Sequence, residues 1–268
     1  MNPSPTFPQD LFSQGEKVDP FSAQTPFFKR EGELQRFTRQ VSFKSPQLFA
    51  PITGPIGCGK RTLALQFIQR YHALYTSVFW IPAATQSEII AAYHRIAKVL
   101  KIKDTLCSLT SLLAAIQEKL KGQRCLYVFN NAPSATILTP FLFPEADRLI
   151  ISLHSSPRAW PRPPFHIAPF SDQEILEFID YYQASSMCKS PAFDLFLRLI
   201  SPYPLALFYT LTLIKKTPTF SLHDLLATIQ AQPPLFRALL KNSKNCAHYY
   251  QLLRHLVSLL RSNSKNRL

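Results

Sequence analysis

The residues whose types and spacing could do chemistry lie together in Gly54-Pro55-Ile56-Gly57-Cys58-Gly59-Lys60-Arg61-Thr62, which holds three of the chain's six glycines. Clustered glycines let a backbone turn with positive φ and approach an anion with no Cβ in the way. Successive amides then point inward as a nest, and a following helix adds the partial positive charge of its N-terminus. A lysine directly after the last glycine supplies a point charge to the outer phosphates of a polyphosphate. The P-loop template asks for Gly, four residues, Gly-Lys and then Ser or Thr, whose hydroxyl ligates Mg²⁺. Gly54, Gly59 and Lys60 satisfy it, and Gly57 adds freedom. Arg61 stands in the hydroxyl's place and Thr62 follows one residue late. Phosphate binding is expected; the metal's usual ligand is missing.

Such a loop works only between a strand and a helix. The run "LFAPITG" (48–54) reads as the strand, although Pro51 cannot donate to a central ladder. After the loop, Leu63, Ala64, Phe67, Ile68, Tyr71 and Leu74 recur at helical spacing and give one buried stripe. Upstream, "FFKREGELQRF" (27–37) starts a helix. Downstream, "SVFWIPA" (77–83), "RCLYVFNNA" (124–132) and "RLIISLH" (148–154) read as strands, with helical patterns at 87–101 and 108–121. Strands alternating with helices imply parallel pairing and a three-layer α/β core. The stretch 155–170 carries five prolines and reads as irregular. "SDQEILEFIDYY" (171–182) opens on a capping box, Ser171 with Glu174. Helical patterns follow at 192–200, 204–215, 221–230 and 247–261.

The organisation expected is a mobile arm (1–26), an α/β domain (27–170), a helical domain (171–262) and a tail (263–268). Apolar residues make up 46% of the 268 and charged residues 17%, the balance of a folded domain. No apolar run reaches the roughly 18 residues that span a bilayer. The first residues lack the basic and apolar regions of a secretory leader, so a cytoplasmic location and no membrane association are expected. Five scattered cysteines, with no Cys-x-x-Cys pair, imply reduced thiols and no structural metal site. The net charge of +14 favours anionic partners, but the basic residues are dispersed and point only weakly to nucleic acid.

In segment order the chain resembles the NB-ARC domains of STAND-type ATPases. "FFKREGELQRF" is similar to the motif in which Gly-Arg-Glu precedes the sheet, with Arg30 and Glu31 matching and Lys29 in place of the glycine. "GPIGCGKRTLAL" resembles the family's glycine loop, with Arg61 for its first threonine and Thr62 matching the second. "VFWIPA" is similar to the second strand. "CLYVFNNA" resembles the acidic strand motif, and Asn130 falls on the aspartate that holds Mg²⁺. "RLIISLH" resembles the sensor strand, with His154 for its arginine. "SPYPLAL" (201–207) is similar to Gly-Gly-Leu-Pro-Leu-Ala-Leu, with Pro204 on the proline packed near adenine. The residues after 215 are too few for the family's winged helix, so the resemblance implies a truncated and degenerate member.

The resemblance implies a site for ADP or ATP built from Gly54, Gly57, Cys58, Gly59, Lys60, Arg61, Thr62, Arg30 and Pro204. Substitutions fall on the metal and sensor positions Arg61, Asn130 and His154. That division implies a pseudo-ATPase, a regulatory or scaffolding module with a protein partner and little or no hydrolysis. An amide at Asn130 brings no negative charge to a hard cation. Two other readings stand beside this one: an active Mg²⁺-dependent ATPase using Thr62 and water, and an AAA+ clamp-loader-like protein that uses its charge on DNA. Arg61 either turns its guanidinium to the β-phosphate in place of Mg²⁺ or points to solvent. Cys58 is read as a small filler or an oxidation-sensitive thiol, His154 as a hydrogen-bonded strand end or a base, and Trp80 and Trp160 as core and loop anchors.

Overall fold

The computed structural model describes residues 28–41, 47–55, 57–102, 108–142, 148–154, 163–182, 191–199, 203–216 and 221–230. The expected N-terminal arm, the helix at 247–261, the tail and Trp160 lie outside the described residues. The chain divides into two compact units: residues 1–54 with 60–167, and residues 55–59 with 168–268. No helix among the described residues is long and apolar enough to cross a membrane.

The first unit is built on five parallel strands, β1 (Gln47–Thr53), β2 (Ser77–Pro82), β3 (Cys125–Asn130), β4 (Arg148–His154) and β5 (Phe165–His166). Their order across the sheet is β2-β3-β4-β1-β5. Five successive residues of β3 are buried, which requires cover on both faces. On one face Phe79, Ile81, Tyr127 and Phe129 pack with α3 (Gln86–Val99), α4 (Leu109–Lys119) and Phe141 into one cluster. Thr85 and Ser108 cap these two helices, each side chain accepting an N–H three residues on. The other face takes α1 (Glu31–Gln40) and α2 (Lys60–Tyr71), where Phe37 meets Phe67 at 5.4 Å and Phe165 at 5.3 Å between ring centres.

Proline inside β1 has a local explanation. Thr53 accepts from the Ile167 amide, so its backbone faces β5. Pro51 lies two residues earlier and faces the same side, where β5 has not yet begun. No ladder bond is lost.

Three expectations change. Residues Leu63 to Ile68 of α2 are all buried, not one stripe, and α1 packs against the helix through Phe37 on Phe67 and the Arg30 amide on Gln66. Leu74 is exposed, in a 3₁₀ turn (His72–Leu74) that follows the helix. The proline-rich stretch read as irregular contains β5, a strand too short for periodicity to reveal.

The second unit is helical: α5 (Asp172–Tyr181), α6 (Pro191–Leu199), α7 (Pro204–Lys216) and α8 (Leu222–Gln230). The Ser171–Glu174 capping box forms in full. Ser221 and Asp224 make the same reciprocal pair at the start of α8, at 2.7 and 3.2 Å. Phe170, Phe178, Tyr182 and Phe208 form a ladder of rings 5.3, 4.7 and 5.7 Å apart. Burial there pushes the Tyr182 hydroxyl above the usual phenol range.

Candidate phosphate-binding loop

The loop leaves the carboxyl end of β1, the usual place for ligands in open α/β sheets. β1 lies between β4 and β5, and α2 begins at Lys60. Gly57 has φ +81° and Gly59 φ +99°, values that cost an L side chain about 1–2 kcal/mol. A Cβ on Gly59 would meet only Pro204 Cγ at 3.9 Å, an ordinary contact. Glycine is therefore needed there for backbone angle rather than for space. The Lys60 ammonium donates to the Gly54 carbonyl at 2.8 Å.

Within the second unit, Pro204 opens α7, where its missing N–H costs nothing. The next amide, Leu205 N–H, donates to the Gly57 carbonyl at 3.2 Å. One orphan donor of the α7 N-terminus is satisfied in this way. Since C=O and N–H point oppositely across a peptide, the Cys58 amide is turned away from α7. It makes a turn bond to the Pro55 carbonyl at 3.3 Å. Segment 55–59, assigned from sequence to the α/β domain, groups with the helical unit, and this bond joins it to α7. The Cys58 side chain is fully buried, which suits a filler and denies an oxidant access.

In the first unit, Arg30 sits at the N-cap position of α1 and is buried. Its backbone amide donates to Gln66 Oε1 of α2 at 3.4 Å. Glu31 and Arg70 tie the same two helices with paired contacts of 2.7 and 2.9 Å. The Arg70 hydrogen bond is the main reason the Glu31 carboxyl lies below the usual carboxylate range. Both side chains are about half exposed, so the pair is worth about 0–1 kcal/mol. Leu34 and Phe37, buried on the same helix, contribute more, roughly 1.5–3 kcal/mol each. A cleft of about 200 Å³ beside this pair is lined by Lys29, Glu31, Leu34, Gln66, Gln69 and Arg70. It falls short of the roughly 300–1,000 Å³ of a ligand pocket.

Asn130 and His154, which the resemblance sets on the metal and sensor positions, share one edge of the sheet. Asn130 ends β3 opposite Leu153, and His154 ends β4 opposite Thr53, the residue before Gly54. Asn130 is half-buried, and Asn131 after it takes φ +64°, a conformation asparagine tolerates. The His154 side chain lies outside the described residues. Thr62 is half-buried on α2.

Arg61 is exposed at the start of α2. Its guanidinium carbon lies over the Trp80 ring, 5.5 Å from the centroid. At an exposed site that contact is worth about 0.5–1 kcal/mol. Trp80, expected in the core, is a half-exposed position in a strand that alternates buried and half-buried residues. Sequence reasoning missed this pairing, and also Gln66, whose one signal was a polar residue inside an apolar helix.

No protein-family model matches the chain, and no curated protein matches it. Among solved structures it is similar to Cdc6p from Pyrobaculum aerophilum, at 16% identity and a TM-score of 0.50. That likeness covers 74% of this chain and 65% of Cdc6p, so the chain spans about two thirds of that protein's length. At this identity the likeness shows the fold alone: a P-loop NTPase core of parallel α/β type, followed by a helical region.

Proposed function

We propose that the chain is a nucleotide-binding module of NB-ARC-like type, which holds ADP or ATP on the 54–62 loop and hydrolyses it slowly or not at all. The observation that carries this reading is the loop itself. Two glycines hold positive φ and the Gly57 carbonyl is turned outward to α7, while the Lys60 ammonium is held on the Gly54 carbonyl. An ammonium has three donors, so Lys60 can keep its carbonyl and still meet a phosphate oxygen. The long Cys58–Pro55 contact would yield to a phosphate, because charged acceptors bind roughly twice as strongly as neutral ones. The NB-ARC resemblance is what assigns Arg30 and Pro204 to the nucleotide's surroundings.

Slow turnover follows from Asn130. Phosphoryl transfer depends on charge positioned around the transferred group, and an amide cannot hold a hard cation there. Bound nucleotide then acts as a structural ligand, which suits a regulatory switch or a scaffold for a protein partner.

A thermal-shift titration with ADP and ATP, beside a phosphate-release assay, tests both halves. Ligand at a hundred times its Kd adds about 2.7 kcal/mol, an upward shift of roughly 5–10 °C in Tm for a protein of this size. Lys60→Ala should lose that shift while keeping the unliganded Tm. An unshifted wild type would refute the binding reading, and brisk Mg²⁺-dependent phosphate release would refute the slow-turnover reading.

A further inference from the structure

We infer that Arg61, seated on Trp80, takes the place of the divalent cation, so that the loop binds adenine nucleotides without metal. This rests on the nucleotide-binding reading above. In a P-loop NTPase, Mg²⁺ is held by the loop's Ser or Thr hydroxyl and by a carboxylate on a neighbouring strand. Here those positions carry a guanidinium and the amide of Asn130, and a guanidinium repels a metal ion. Thr62 supplies a hydroxyl one residue late, which on a helix turns it about 100° away. Among the described residues no group of three or more His, Cys, Asp or Glu could hold a metal. These residues do not fit Mg²⁺.

The same residues fit a metal-free arrangement. A divalent cation beside one carboxylate carries one net positive charge, and a guanidinium beside an amide carries the same. The two substitutions compensate each other: an aspartate at 130 would pair with Arg61 and cancel it, whereas asparagine leaves the charge for a ligand. Placement agrees. Pro82 of β2 is the register partner of Asn130, and Trp80 lies two residues before Pro82 on the same face of the sheet. Strand spacing sets Trp80 and Asn130 roughly 8 Å apart at Cα. The guanidinium, 5.5 Å from the Trp80 centroid, is therefore held over the face of the sheet that carries Asn130. Arginine over a ring retains its in-plane fork of N–H donors, which matches phosphate oxygens bidentately. Arg61 is the ligand-binding group here and Trp80 its positioning residue.

Calorimetry of ADP binding to the full chain, in excess EDTA and in excess MgCl₂, tests the inference. The wild type should bind with the same affinity in both. Arg61→Ala should lose about tenfold or more in EDTA, the size of one charge-assisted contact. Arg61→Thr should bind weakly in EDTA and recover with Mg²⁺ only when Asn130→Asp is added. A wild type that requires Mg²⁺, or an Arg61→Ala protein that binds ADP in EDTA as tightly as wild type, overturns the inference and leaves the nucleotide reading standing. A wild type that binds ADP in neither buffer ends both. Trp80 has its own readout, since the chain has two tryptophans. In a Trp160→Phe background, Trp80 emission should change on adding ADP in EDTA, and should not when Arg61→Ala is added. Trp80→Phe, a poorer ring for a cation, should weaken EDTA binding by less than Arg61→Ala; unchanged affinity removes Trp80 from the arrangement.

Discussion

The carboxyl ends of β1 and β3 lie on the same edge of one sheet, yet their sequences have kept very different things. Beyond β1, the loop holds the glycine angles and the lysine that a phosphate cradle requires. At the end of β3 stand Asn130 and Asn131, amides where the proposed reading sets a metal-binding carboxylate. The physical demands at the two places differ in kind. An anion nest is made from backbone amides, which every residue but proline has, so it tolerates changes of side chain as long as glycine supplies the turn. A metal site is made from side-chain atoms of one type at one distance, and a single amide for a carboxylate removes its charge.

Restoring the lost side would break that contrast most forcefully. In the double variant Arg61→Thr with Asn130→Asp, a hydroxyl and a carboxylate return together. If turnover is slow as proposed and those two positions are its cause, phosphate release should rise on the order of a hundredfold and become Mg²⁺-dependent, the scale of about 2.7–4 kcal/mol for one lost transition-state contact. Unchanged turnover in a protein that still binds ATP would move the deficit to His154 or elsewhere. Either single variant should gain little, because each lacks the other ligand.

Next in size is damage to the cradle. Gly59→Ala forces a Cβ onto φ +99° with nothing but Pro204 Cγ near it. The expected cost is about 1–2 kcal/mol of stability, read by denaturant midpoint, with ADP affinity falling because the loop relaxes toward negative φ. An equal-sized change that leaves affinity intact separates backbone stability from phosphate binding. Ser171→Ala serves that purpose, since it removes one half of the α5 capping box. It should cost about 1 kcal/mol and leave the ADP titration unchanged.

Much of the fold was legible because its signals are local. β2, β3 and β4 and helices α3 to α5 fall where periodicity, caps and apolar runs place them, and the loop announces itself through glycine. What escaped was set by long-range pairing. β5 is two residues long and exists only because Thr53 accepts from Ile167. The burial of α2 beyond one stripe includes the side that meets α1, which no spacing within α2 records. Arg61 and Trp80 meet between the start of α2 and the middle of β2, and nothing in either local sequence names the other. Pro51 misleads in the opposite direction. It argues against a central strand, until the short neighbour at that position removes the objection.

The smallest effect lies at the Glu31–Arg70 pair, and its value is that it should leave ADP binding alone. The pair links the helix that begins after Arg30 to the helix that follows the loop. Arg70, chiefly through its hydrogen bond, holds the Glu31 carboxyl below its ordinary value of 4.5. A lowered carboxyl contributes stability above its unfolded value and loses it as pH falls through the folded one. The difference between wild type and Glu31→Gln should therefore be full at pH 7 and shrink in acid, below about pH 4.5. Both partners are half exposed, so solvent screening keeps the difference under about 1 kcal/mol, and added salt should reduce it further. If the cradle is built from backbone, ADP affinity at pH 7 should not move when this tether is cut, because Leu34 and Phe37 still hold α1 in place. A fall in affinity that tracks the loss of the ion pair would mean that the approach of Arg30 to α2 is part of the binding site, and that the cradle depends on side chains far more than its amides suggest.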